Sequence, residues 1–204
     1  MRPLPRVLAL TTDVICRAAD FGVRAAAIAS AGPAVALLVR APDSSTAQQA
    51  AFAERVTALA RPPQASVIIH ARSDLARAIG AAGVQLRRDD LSPGDARRVL
   101  GNGWIGVSVH GLDEARAAIA EGADYLIAGN VYLTGSHPER PARGLHWLAS
   151  LAGLGTPVFA IGGITPARVL EARNAGAWGV AAISALWDAA DPATETFTMA
   201  SAWS

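Results

Sequence analysis

Apolar residues fall in short, nearly unbroken runs along most of the chain, and between the runs they recur at helical spacing. The runs lie at 7–11, 35–39, 66–69, 83–86, 104–108, 125–128, 158–161 and 179–182. Runs of this length with little polar alternation are what a strand covered on both faces requires. The stretches between them predict helices over 15–30, 45–59, 73–81, 92–100, 112–120, 145–151 and 165–174, with a short last one over 193–204. Several begin with entry signals: Ser45-Thr46, Ser73-Asp74, Ser92-Pro93 and Thr165-Pro166. The first residue of each pair can cap the helix, and proline fits its first turn.

Eight β–α units in strict alternation predict an α/β chain, either a closed barrel or a doubly wound open sheet. The number of units, and the lack of a GxGxxG after the first strand, favour a (β/α)8 TIM barrel with parallel strands and a short final helix. It would span 1–204 as one domain. The longest irregular stretch, 132–143 (YLTGSHPERPAR), is expected to be a functional loop.

Composition narrows the function. Apolar residues make up 51% and charged residues 17%, as in a globular enzyme rather than a disordered chain. The formal net charge of +1 gives no general attraction to nucleic acid or anionic membrane. All 18 basic residues are arginine, so a lysine Schiff base is excluded. Cys16 is the single cysteine, which rules out an internal disulfide, and it is expected to be buried. With no signal-peptide pattern and no membrane-length apolar run, the expected location is the cytoplasm. A homo-oligomer is left open.

The strongest chemical signal is AIGGIT, where a strand runs into Gly162 and Gly163 and Thr165-Pro166 opens a helix. Glycines let backbone approach a ligand closely, and exposed amides at a helix start favour an anion. The companion segment is AAISALW, in which the amides of Ile183 and Ser184 and the Ser184 hydroxyl can face the same anion. The loops after strands seven and eight are the common phosphate site of such barrels.

These segments carry a resemblance. Residues 106–132 (GVSVHGLDEARAAIAEGADYLIAGNVY), 160–186 (AIGGITPARVLEARNAGAWGVAAISAL) and 68–91 (IIHARSDLARAIGAAGVQLRRDDL) resemble the thiamine phosphate synthase/TenI family, in order and spacing, over roughly 7–190. The resemblance implies a thiazole phosphate held by Gly162, Gly163, Ile183 and Ser184, and a thiamine-related reaction. A synthase of this family joins a hydroxymethylpyrimidine diphosphate to a thiazole phosphate with Mg2+. A TenI-type enzyme moves a proton on a thiazole phosphate carboxylate and needs no cofactor.

The synthase pattern is incomplete. Its strand-three Asn-Asp-Arg is His70-Ala71-Arg72 here, which removes one Mg2+ carboxylate and leaves Asp90 as the candidate metal ligand. Of Gln-x-Arg-x-Lys after strand two only Arg40 remains, between Leu38 and Pro42. Thr-x-Thr-Lys in the strand-six loop becomes Thr134-Gly135-Ser136-His137, while Ser108 is kept. The missing strand-three Asp and Gln85-Leu86 lean toward the TenI branch. That branch's histidine after strand six is Asn130 here, which has no titratable proton. His70 and His137 are then the candidate proton carriers. The candidate catalytic residues are therefore Arg40, His70, Asn130 and His137, with Gln85, Ser108, Thr134 and Ser136 as substrate contacts. A TenI-like thiazole tautomerase is the leading expectation. A thiamine phosphate synthase and a non-catalytic phosphate-ligand barrel are the alternatives.

Overall fold

Eight parallel strands pair in chain order, and the last closes on the first. The computed structural model describes residues 3–60, 64–135 and 141–203. The strands are β1 (Val7–Leu10), β2 (Val35–Val39), β3 (Ser66–His70), β4 (Gly83–Leu86), β5 (Trp104–Val109), β6 (Tyr125–Ala128), β7 (Val158–Ile161) and β8 (Gly179–Ala182). The helices are α1 (Asp13–Arg17), α2 (Phe21–Ala29), α3 (Thr46–Ala60), α4 (Ser73–Ala78), α5 (Pro93–Leu100), α6 (Leu112–Ala120), α7 (Gly144–Ala152), α8 (Val169–Asn174), α9 (Ser184–Trp187) and α10 (Pro192–Ser201). The (β/α)8 barrel read from the apolar runs is the observed architecture. No helix among the described residues is long and apolar enough to cross a membrane.

Alternation along each strand divides the buried side chains into two layers. Leu8, Leu10, Ala36, Leu38, Ile68, Trp104, Tyr125, Ile127, Phe159 and Ala181 pack together inside the barrel. Val7, Leu37, Val67, Val84, Ile105, Leu126, Val158 and Val180 face outward and pack with the helices. The rings of Tyr125 and Phe159 meet edge to face at 5.3 Å, a favoured aromatic geometry. The barrel interior is thus filled, and a ligand has room only at its ends.

Several helices start where the entry signals stand. Ser45 and Gln48 form a reciprocal cap before α3: the Gln48 amide donates to Ser45 Oγ at 3.3 Å, and the Ser45 amide to Gln48 Oε1 at 2.9 Å. Ser92 Oγ accepts from the Asp95 amide at the start of α5. The single helix expected over 15–30 is two. The chain turns extended at Ala18, and Arg24 of α2 reaches back to Asp20 and across to the Ala189 carbonyl. The helix expected over 165–174 opens with a 3-10 turn, Pro166–Arg168. The segment after β8, read only as a loop, contains α9. Cys16 is buried as expected, at 1% exposure.

Candidate active site

The parity of the inner layer brings several predicted residues to one mouth. Inward positions on β2, β3, β4 and β5, counted from Leu38, Ile68, Gly83 and Trp104, continue to Arg40, His70, Gln85 and Ser108 at the strands' C-terminal ends. The register sets His70 beside Gln85, Gln85 beside Gly106, and Gly106 beside Tyr125. The C-terminal end of such a barrel is where its loops build active sites.

Arg40 is held by its neighbour strand. Thr11, fully buried, accepts from the Arg40 amide at 2.8 Å and donates to the Arg40 carbonyl at 3.0 Å. Next to it, Asp13 accepts from Ser44 Oγ at 2.6 Å and from the Asp43 amide at 3.3 Å, tying the β1 loop to the β2 loop. Burial alone would raise the Asp13 carboxyl; Ser44, the Asp43 amide and Arg17 outweigh it and keep the group ionised below the usual carboxylate range. Arg40 itself pairs with no carboxylate among the described residues.

His70 ends β3. Burial, then the Arg40 and Arg87 guanidiniums, push its imidazole down to about 4, against a weaker pull from Asp90. At that value the imidazole is neutral near pH 7 and a weak proton carrier. Ala71 follows it in the left-handed region, at φ 63°, where Asn, Asp and Gly are the residues at ease. Beside them lies a pocket of about 200 Å3 lined by His70, Arg72 and Arg87 together with apolar Val39, Ile69 and Leu75. Arg72 is paired with Asp74 at 2.6 Å.

Asp90 is engaged by an arginine of its own loop. Its carboxylate accepts from the Arg87 amide at 2.7 Å and from the Arg87 guanidinium at 2.9 and 3.2 Å. Ser92, rather than Asp89 or Asp90, caps α5. Among the described residues no group of three or more His, Cys, Asp or Glu could hold a metal. With Ala71 in place of a carboxylate and Asp90 engaged by Arg87, the residues present do not fit a two-carboxylate Mg2+ site.

The loops after β7 and β8 leave adjacent, paired strands. Ile161 pairs with Ala181, so Gly163 and Ile183 leave β7 and β8 at the same level. Gly162 and Gly163 have φ of 95° and 64°, which the chain reaches readily only with glycine. A Cβ on Gly163 would overlap the Leu133 carbonyl oxygen of the β6 loop. No acceptor among the described residues takes the amide hydrogens of Gly162, Gly163, Ile183 or Ser184. The half-buried Ile183 packs against both apolar layers, and Ser184 is exposed. Arg168 donates to the Gly163 carbonyl at 2.7 Å and stacks over Tyr132 at 4.5 Å.

Asn130 follows β6 and stands against Gly162, with its Nδ2 3.4 Å from the Tyr132 carbonyl. Thr134 is half-buried farther along the same loop. Ser136 and His137 lie outside the described residues. Sequence reasoning missed Thr11 and Arg168. A buried threonine ending a strand next to a basic strand end was the available signal for Thr11. Gly106 and Tyr125 were also missed, since their link to Gln85 depends on cross-strand register.

A family model, curated relatives and a solved structure point to one family. The family model described as Thiamine monophosphate synthase matches residues 7–186. A thiamine-phosphate synthase of Salinispora arenicola is 42% identical over 177 residues, covering 84% of each chain. One of Salinispora tropica is 40% identical over 198 residues, covering 93% of each. Among solved structures, thiamine phosphate pyrophosphorylase from Pyrococcus furiosus superposes with a TM-score of 0.83 at 31% identity, covering 98% of this chain and 96% of that one. By sequence and by fold, this chain belongs to the thiamine monophosphate synthase family.

Proposed function

We propose that the protein is a thiamine-phosphate synthase, joining a hydroxymethylpyrimidine diphosphate to a thiazole phosphate. The observation that carries this reading is the pair of loops after β7 and β8, where unclaimed amides of Gly163, Ile183 and Ser184 lie side by side at the mouth that also holds Arg40 and Ser108. Relatives about 40% identical and named for this activity support it.

The chemistry suits the residues. The thiazole ring nitrogen attacks the pyrimidine methylene carbon and forms a C–N bond. The C–O bond to the diphosphate breaks, and its electron pair leaves with pyrophosphate. The ring nitrogen becomes quaternary and gives up no proton, so the step needs no general base. It needs an anchored thiazole phosphate and cations near the departing oxygens. The cradle amides serve the first need and Arg40 the second. The pocket edged by Arg72 and Arg87 adjoins the place where the diphosphate would lie.

The tautomerase expectation has less support. Moving a proton on carbon is best served by a group that titrates near neutrality; His70, pushed down to about 4, and Asn130, which cannot titrate, suit that role poorly. The relatives described above carry the synthase name rather than an isomerase name. A second reading, a phosphate-ligand barrel without turnover, is favoured by Ala71 and by the pairing of Asp90 with Arg87.

One experiment separates them. The purified protein is given both substrates, with and without Mg2+, and pyrophosphate and thiamine phosphate are measured. Formation of both products in equal amounts is the expected result. Thiazole phosphate raising the melting temperature while neither product forms would replace the first reading with the second.

A further inference from the structure

We infer, resting on the synthase reading proposed above, that Arg87 anchored by Asp90 takes the part of a metal ion in this chain, so that guanidinium groups stabilise the departing diphosphate and the step proceeds without Mg2+. Two positions beyond neighbouring strands point this way. Ala71 follows β3 with no side-chain oxygen, and both carboxylate oxygens of Asp90, after β4, are taken. Oδ2 accepts from the Arg87 amide at 2.7 Å and from its Nε at 3.2 Å, and Oδ1 accepts from Nη2 at 2.9 Å. The Asp90 side chain is 10% exposed, so this fork is largely sheltered on the acid's side. A divalent ion would have to break it, and Ala71 offers no carboxylate in exchange.

The local charge is kept all the same. A divalent cation between two carboxylates is neutral as a unit, and so is one guanidinium on one carboxylate. Ala71 in place of an acid, together with Arg87, changes the kind of cation and not the balance. Arg87 also stands in a suitable place, lining the pocket of about 200 Å3 with His70 and Ala71. Its side chain is 55% exposed, and with Nε and Nη2 turned to Asp90, Nη1 has no acceptor among the described residues. Arg72, in the same pocket, is committed elsewhere. Asp74 takes its Nε and Nη2 at 2.8 and 2.6 Å, and Thr46 Oγ1 takes Nη1 at 3.1 Å. Arg40 and Arg87 both act on the His70 ring, so the two guanidiniums lie within electrostatic reach of one point. As the C–O bond breaks, its electron pair adds one negative charge to the diphosphate. Guanidiniums meet phosphate oxygens through paired N–H groups, and one already fixed by Asp90 need not reorganise as that charge appears.

The test measures product formation in EDTA and in Mg2+, and pyrophosphate binding by calorimetry in EDTA. The wild type is expected to form thiamine phosphate in EDTA within about threefold of its rate in Mg2+. Arg87→Gln is expected to weaken pyrophosphate binding and lower turnover by about tenfold. Arg88→Ala, at the exposed neighbour, is expected to change neither. Ala71→Asp combined with Arg87→Ala frees Asp90 and supplies a second carboxylate, and aspartate is at ease in the left-handed backbone of φ 63°. That double variant is expected to turn over only with Mg2+; undiminished turnover in EDTA would show that Arg87 is not needed and overturn the inference. Wild-type turnover abolished by EDTA and restored by Mg2+ would overturn it without any variant. So would pyrophosphate binding that Arg87→Gln leaves unchanged. A wild type that forms no product in either condition would count against the synthase reading, and calorimetry with pyrophosphate would then judge the Arg87 site alone.

Discussion

Thr11 grips Arg40 by both ends of its backbone, accepting from the amide at 2.8 Å and donating to the carbonyl at 3.0 Å. Thr11 stands one residue past β1 and is fully buried, so its hydroxyl has no solvent to fall back on. Thr11→Val keeps the shape and removes both bonds, leaving two backbone groups short of a partner. The cost to unfolding stability is about 1–3 kcal/mol. Arg40 loses its fixed place, so pyrophosphate binding, measured by calorimetry, is expected to weaken as well. Thr11→Ser restores the hydroxyl and is expected to recover both. Unaltered binding in Thr11→Val would mean that Arg40 is held by something else.

Gly163 is where the anion cradle is least tolerant. It sits at φ 64°, and a Cβ there would run into the Leu133 carbonyl oxygen. Gly163→Ala is expected to push the β6 and β7 loops apart and destabilise the fold by about 1–3 kcal/mol through backbone strain alone. Ser184→Ala removes one hydroxyl and no backbone group, so it is expected to fold normally and bind less tightly. The probe is thiazole phosphate in a thermal melt: at a hundredfold excess over Kd the wild type gains about 2.7 kcal/mol. Ser184→Ala is expected to gain less, and Gly163→Ala nothing. Full stabilisation of both variants would put the phosphate elsewhere.

Ala71 stores a small strain next to the pocket. Its φ of 63° is left-handed, which costs a side-chain-bearing residue about 1–2 kcal/mol, while glycine loses entropy but has no steric penalty. Ala71→Gly is therefore expected to stabilise the protein by up to about 1 kcal/mol in urea unfolding, and Ala71→Asn to be neutral or stabilising. The same substitution at Ala78, in ordinary helical backbone at the end of α4, is expected to destabilise. If both positions lose stability equally, Ala71 carries no strain.

Most of the barrel was legible because its strands are buried on both faces. Five strands, 35–39, 83–86, 125–128, 158–161 and 179–182, have the bounds the apolar runs suggested, and the other three differ by one residue at their C-terminal ends. The break between α1 and α2 was not legible, since Ala18–Asp20 contains neither proline nor glycine and Arg24 supplies the contacts that fix it. Four residues of α9 are too few to show a period. Within the site, His70 was legible from its place at a strand end, while Arg40, Gln85 and Ser108 came from the family resemblance. Whether Asp90 faces a metal or Arg87, three residues back, depends on how the loop after β4 turns, and whether His70 titrates near neutrality depends on neighbours from other strands. Those neighbours, Arg87 and Arg40, are visible only once the register is known.

His70 links stability to pH with a definite sign. Its folded value of about 4 lies below the ordinary 6.5, so between those limits the unfolded chain binds the extra proton. Stability contributed by the neutral imidazole is thus fully present above about pH 6.5 and is lost as pH falls toward 4. The size of that loss follows from about 1.4 kcal/mol per unit, or roughly 3 kcal/mol in all. Urea unfolding at intervals from pH 7 to pH 4 reads it, with His70→Gln as the control that cannot titrate. The variant is expected to show a flatter profile across this window, and the difference between the two curves is assigned to His70. A bound diphosphate would place negative charge near the ring and raise its value, so NMR titration of the imidazole is expected to move upward when pyrophosphate is added. An identical pH profile for the wild type and His70→Gln would show that the imidazole is not held neutral by its surroundings.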